Sequence, residues 1–292
     1  MSTQIGLLAI VNGVTYDLAD QINYDFLEAD GFGMAPVKRL QQRGPMQDGV
    51  SDIGFRLNPR HFTLTLLALG SDEASYYAAR NAMLSIFTPT VLPIQLRFSA
   101  PPSVVRQIDV HFNGHFTLPF KSRFGYAQQD VIELYAPDPT WYDPTLVNVP
   151  FQQIGGGAGM PFPLLVPITL GSPVNINQTQ AVINAGNYKA YPTVILYGPI
   201  SSPVVTNLTT GEKLDFTGTN IGGGQVWTID CRYGYKTVKD QTGGNQIAGL
   251  TLNSDLATFH LNAGANSINV TGGAISGTTQ AAVQFYSRYI GI

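Results

Sequence analysis

Charge is the first thing this chain lacks. Only 12 % of its 292 residues are Asp, Glu, Lys or Arg, about half the usual share for a soluble domain. A helical bundle needs such residues on its exposed faces, so that class is disfavoured. There is one cysteine, Cys231, which excludes an intrachain disulfide. Within Trp227-Thr228-Ile229-Asp230-Cys231 it reads as a small buried hydrophobe on a strand. No window approaches the roughly 20 apolar residues that span a bilayer. The start lacks a basic segment followed by an apolar one, so the expectation is a protein made in the cytoplasm and not inserted in a membrane.

What is present is turn-forming and neutral: 31 Gly and 19 Pro in a chain that is 44 % hydrophobic. That suits many short strands joined by turns. The net charge of −3 gives no basic face for holding nucleic acid. Residues 1–150 hold 10 basic and 14 acidic residues and the remainder 6 and 5; Lys38, Arg39 and Arg43 form a local basic patch.

Two strands are expected around Asn12-Gly13, whose residue types tolerate positive φ. Residues 28–54 have little apolar periodicity and read as a segment that reaches for a partner or is disordered. Residues 60–69 alternate before an all-apolar end, as a half-buried strand becoming a buried one. A helix capped by Ser71 or Asp72 runs to about Phe87, with Ala74, Tyr77, Ala78, Leu84 and Phe87 on one face. Strands follow at 93–98, 104–112, 115–120 and 129–136, with a hairpin at Asn113-Gly114. The prolines at 137–150 and the glycine-rich stretch at 151–163 mark a linker. The reading is therefore mainly β: residues 1–150 as a sandwich or barrel-like domain with one helix, and 164–292 as a β-sandwich or jelly roll. Its turns are expected at Asn175, Ala185-Gly186-Asn187, Thr209-Thr210-Gly211, Gly222–Gly224, Gly243-Gly244-Asn245, Ala263–Asn266 and Gly272-Gly273.

No catalytic, cofactor or metal site emerges. His111 and His115 would share a helix face but straddle a turn on strands, with no third ligand in view. His61 and His260 stand alone in apolar strands. There is no Gly-x-Ser-x-Gly elbow, and the glycine runs lack a following Gly-Lys-Ser/Thr. The second domain has five acids, Glu212, Asp215, Asp230, Asp240 and Asp255, with no pairing suited to glycoside hydrolysis. Asn177, Asn207 and Asn269 head Asn-x-Ser/Thr sequons that mean nothing without secretion. Trp227, Tyr233 and Tyr235 are either core residues or a stacking surface for sugar.

The order of short motifs resembles the siphophage distal tail (Dit) family. Gly31-x-Gly33, Gln47-Asp48-Gly49, Arg60, the helix with Arg80 and Leu84, and Asp138-Pro139-x-Trp141-Tyr142 carry it first. Ile183-Asn184-Ala185-Gly186-Asn187, Tyr191-Pro192-Thr193, Tyr197-Gly198-Pro199, Pro203, Thr206-Asn207, Thr209-Thr210-Gly211, Thr228-Ile229-Asp230, Leu261–Ile268 and Tyr286-x-Arg288-Tyr289 carry it later. Ala263 stands where the family often has Pro. The resemblance implies a ring-forming, tail-tube-like first domain and a galectin-like second one. It further implies a homo-hexamer in the virion tail tip, joining the tail tube to the hub and host-recognition proteins, with a channel for DNA and no enzymatic role. Receptor-binding or tape-measure proteins and a host saccharide are further partners it allows. The alternative is a carbohydrate-binding module of a host-adsorption protein.

Overall fold

The computed structural model describes residues 6–100, 104–152, 174–275 and 280–292. The chain forms two compact units, Met1–Pro144 with Tyr289–Ile292, and Thr145–Arg288. Both are antiparallel β structures, and α1 is the one α-helix among the described residues. The linker expected at 151–163 lies outside the described residues except for its first two positions, which end a strand.

In the first unit the strands are β1 (Gly6–Val11), β2 (Val14–Asp17), β3 (Tyr24–Asp30), β4 (Val37–Gln42), β5 (Ser51–Leu57), β6 (Arg60–Leu69), β7 (Ile94–Ala100), β8 (Val104–Phe112), β9 (Arg123–Phe124), β10 (Ala127–Ala136) and β11 (Trp141–Tyr142). The main path runs β2-β1-β7-β8-β10-β6-β3, while β4 and β5 pair only with each other. Asn12 and Gly13 turn β1 into β2 with φ of 51° and 81°, opposite Val11 paired with Val14. Alternation drives the core: Phe62, Leu64, Leu66 and Ala68 of β6 face Ile132 and Leu134 of β10 and Leu96 of β7, all buried. The alternation of β6 persists to Leu69, so its apolar end is half-buried and not fully enclosed.

Helix α1 (Glu73–Ile86) starts at Asp72, whose carboxylate accepts from Ser75 N while Ser75 Oγ reaches back to Asp72 N. Its buried residues are Tyr76, Ala79, Met83 and Ile86. Of the expected face, Phe87 at the C-cap is buried and Leu84 packs partly on the core, while Ala74, Tyr77 and Ala78 are exposed. The reason is a buried hydrogen bond from the Tyr76 hydroxyl to Gln128 Oε1 on β10, which selects Tyr76 over Tyr77 for the interior. The hairpin expected at Asn113-Gly114 does not form. After β8, Asn113 N donates to Glu133 O and the chain leaves the sheet toward Asp130, whose carboxylate accepts from Leu118 N at 3.1 Å. Residues 120–122 are a short 3-10 helix.

The second unit has β12 (Val147–Gln152), β13 (Val174–Asn184), β14 (Thr193–Tyr197), β15 (Ile200–Asn207), β16 (Lys213–Asp215), β17 (Asn220–Ile221), β18 (Val226–Asp230), β19 (Thr237–Asp240), β20 (Gly264–Ile275) and β21 (Gln280–Phe285), and its last residue, Arg288, begins β22 (Arg288–Tyr289). One sheet is β12-β21-β14-β18-β19; the other is β13-β20-β15-β16, with β17 beside β15. Val194, Leu196, Ile229 and Val283 of the first meet Val182, Val205, Ile268 and Val270 of the second in a single core, which makes a β-sandwich. Two expected turns are strand instead, and a third, Ala263–Asn266, is strand from Gly264 on. Asn175 lies at a bulge in β13, and Gly272-Gly273 lies inside β20, where a Cβ on Gly272 would sit 2.6 Å from the Ile200 side chain.

Candidate functional site

Two surfaces stand out, one on each unit. On the first, residues 28–54 have no core of their own but are regular. They close β3 and then form the β4–β5 arm, whose residues are exposed or half-exposed throughout. Asn58 N donates to Pro36 O at 2.8 Å and closes the base of the arm. At the tip, Gln47 N donates to Gly44 O, Gly44 N donates to Gln47 Oε1, and Arg43 Nε donates to Gln47 O. Met46 sits in this turn with φ 61° and its side chain fully in solvent. Val50, Ile53 and Phe55 are also exposed, and Arg39 bridges to Asp52 at 2.9 Å. Of the basic patch, Arg39 is thus paired. An ordered strand pair that keeps several large apolar groups in water is suited to meeting another protein surface.

Arg60 anchors the region below the arm. Its side chain is buried, and it donates through Nε to Pro139 O (3.0 Å), through Nη1 to Gly31 O and Gly33 O (2.6 and 2.5 Å) and through Nη2 to Ile290 O (2.6 Å). Burial lowers its pKa to about 10. The planar fork ties four carbonyls of three backbone segments together with no carboxylate involved. Trp141 of β11, two residues past Pro139, is buried and packs edge-on against Phe32 and Phe62.

On the second unit, the motif asparagines act as buried clamps. Asn184 Nδ2 donates to Tyr188 O, Asn207 Nδ2 to His260 O and Asn266 Nδ2 to Asn262 O. His260 is not alone: its Nδ1 lies 2.9 Å from Glu212. Beyond them the turn after β18 carries Tyr233 and Tyr235, both exposed, whereas Trp227 is buried against Phe216. The three aromatics that sequence groups together therefore divide between core and surface. Cys231 is buried, which pushes its thiol up to about 12.

The remaining histidines do not converge. His61 lies against Tyr135. His111 pairs in register with Tyr135 on β10, and His115 lines a shallow cleft with Asp130 and Glu133. Among the described residues no three His, Cys, Asp or Glu side chains gather in a metal-ligand geometry. Of the groups that join Tyr233 on the surface, Lys189 and Lys236 carry no sequence signal and Tyr191 only that of the family motif; their convergence in space identifies them.

Residues 11–135 match the family model described as phage tail protein RIFT-related domain. No curated protein matches the chain in sequence. Among solved structures it is similar to the Dit protein of phage SPP1, at 14 % identity and a TM-score of 0.64, over 97 % of this chain and 98 % of that one. It is also similar to a chain of the phage P2 baseplate with calcium (11 %, TM-score 0.51, 95 % and 99 % covered). A chain of the strontium form gives 10 % and 0.53, with 96 % and 97 % covered. The first unit accordingly carries the match to a phage-tail RIFT-related domain, and the chain shares the fold of the SPP1 Dit protein over 97 % of its length.

Proposed function

We propose that this protein is a structural, non-enzymatic component of a long non-contractile phage tail tip, where six copies form a ring. The ring would join the tail tube to the tail-tip hub and host-recognition proteins and leave a channel for DNA. Such a protein resides in the virion and is assembled in the host cytoplasm. The observation that supports this most is the combination of a phage-tail domain with likeness to a protein whose structure is described as a paradigm of the hub adsorption apparatus in phages infecting Gram-positive bacteria.

The β4–β5 arm is the part of the first unit fitted to such a role. A closed ring needs a heterologous contact, one surface on each copy meeting a different surface on the next. An arm with its own hydrogen bonds and exposed Met46, Ile53 and Phe55 supplies one such surface. Native mass spectrometry and electron microscopy of virions test the reading. The expected results are a particle of six times 31.5 kDa and a sixfold ring at the tail end. A virion tail whose tip lacks the protein would sink the reading.

A further inference from the structure

The turn between β18 and β19 carries side chains that the ring reading leaves unused. Arg232-Tyr233-Gly234-Tyr235-Lys236 is held rigidly. Tyr235 N and Lys236 N both donate to Arg232 O at 3.2 Å. Arg232 donates from its backbone N and from Nε to Asp230 at 2.9 and 3.0 Å, and its Nη2 lies 2.6 Å from the second carboxylate oxygen. Lys236 has φ 45°, a conformation that a non-glycine residue keeps only where its surroundings impose it.

Held this way, the turn gathers Tyr191 and Tyr233 with Lys189 and Lys236, and beside them in sequence Tyr235 with Arg232. Tyr191, just ahead of β14, meets Tyr233 edge to face at 4.6 Å, and its hydroxyl donates to that of Tyr233 at 3.2 Å. Lys236 Nζ lies 4.8 and 4.6 Å from those two ring centroids and donates to Cys231 O at 2.5 Å. Lys189 Nζ lies 5.7 Å from the Tyr191 ring, and the Arg232 guanidinium 4.5 Å from that of Tyr235. Tyr233 and Tyr235 nevertheless stay 65 % and 60 % exposed. Asp230 balances Arg232, but among the described residues no carboxylate bridges to Lys189 or Lys236. Burial lowers the pKa of Lys236, so its charge is poorly hydrated and has more to gain from an anion.

We propose that this surface is a saccharide-binding site for pyranose units bearing an anionic substituent, phosphate or carboxylate. Immobilised phenol rings offer flat apolar faces to the C–H face of a sugar, and their hydroxyls offer hydrogen bonds to its rim. Two ammonium groups without carboxylate partners attract the anion. Tyr and Arg also serve protein interfaces, but no apolar surface continues the patch, since the unit's exposed aliphatics, Leu146, Ile183, Leu208, Ile247 and Leu252, belong to other elements. A nucleic acid would want a longer track of cations than these three. The inference rests on the second unit alone and is independent of ring assembly.

The test is NMR of the full-length chain with ring-labelled tyrosine. The probes are glucose 6-phosphate, glucuronate, glucose, inorganic phosphate and a short oligothymidylate. At least one of the two acidic sugars should shift the Tyr191, Tyr233 and Tyr235 ring signals saturably, with glucose about tenfold weaker or more. Tyr233→Ala and Lys236→Met should each weaken binding about tenfold at unchanged melting temperature. If Lys236→Met lowers the melting temperature, Lys189→Met, which lies outside the turn, takes its place with the same expectation. The proposal is overturned if none of the sugars gives a saturable shift or if glucose binds as well as the acidic sugars. It is equally overturned if inorganic phosphate alone or oligothymidylate binds as well, or if the shifts follow protein concentration as in self-association. A chain that forms rings yet shows no such shifts refutes the site and leaves the assembly reading standing.

Discussion

Two side chains set testable limits on stability, and each unit carries its own reporter, because the chain has two tryptophans, Trp141 in the first unit and Trp227 in the second. Arg60 is a buried cation satisfied only by carbonyl oxygens. A lysine there is a point charge that cannot reach four carbonyls in one plane, and the orphaned oxygens stay dry. Arg60→Lys should cost about 3 kcal/mol, read from the urea transition of Trp141 in a Trp227→Phe background, with the Trp227 transition of the converse variant unmoved. Asp215 works in the other unit. Its Oδ1 accepts from Thr217 Oγ1 at 2.6 Å and Thr217 N at 2.9 Å, which chiefly holds its pKa at about 2, helped by Lys213. A carboxyl depressed on folding stabilises above its ordinary value of 3.8 and loses that contribution as pH falls toward about 2. The Trp227 transition should therefore weaken across that window, and more shallowly in Asp215→Asn. The slope does not vanish, because Asp240 is depressed in the same direction.

Elements show which parts of the fold sequence could convey. The Asn12-Gly13 hairpin, the β6 alternation and the Asp72 cap are legible because each rests on contacts within a few residues. The face of α1 is not, since Tyr76 and Tyr77 are chemically alike and Gln128, fifty-two positions away, decides between them. The loss of a strand at 115–120 has the same origin, a claim by Asp130 on Leu118 N. The arm was missed as structure because both of its faces are wet, which removes the apolar period that marks a strand. Likewise Trp227 and Tyr233 look equivalent in a list of aromatics, and only the sandwich separates one from the other. The arm's independence gives a prediction. Replacing residues 37–57 by a short Gly-Ser turn between Pro36 and Asn58, already joined by a 2.8 Å hydrogen bond, should leave the Trp141 transition within a few tenths of a kcal/mol of the parent. The same replacement should abolish rings in negative-stain images; rings that survive it would remove the arm from the assembly contact.

At the scale of the molecule, the chain makes its first unit from two pieces far apart in sequence. Residues 289–292 belong with residues 1–144: Ile290 O receives Arg60 and Ile292 N donates to Phe32 O at 3.2 Å. Deleting 289–292 should destabilise the Trp141 transition and spare the Trp227 transition, the reverse of what proximity along the chain suggests; equal losses in both would contradict the division into units. The same arrangement governs the order of events during synthesis. A ribosome that has released residues 1–144 has not yet made the carbonyl that completes the Arg60 cradle, so the nascent first unit waits, one acceptor short, for some 146 further residues. The arm rises from that same cradle through Gly31 and Gly33, and so only chains grown past Ile290 offer it on its final footing to one another.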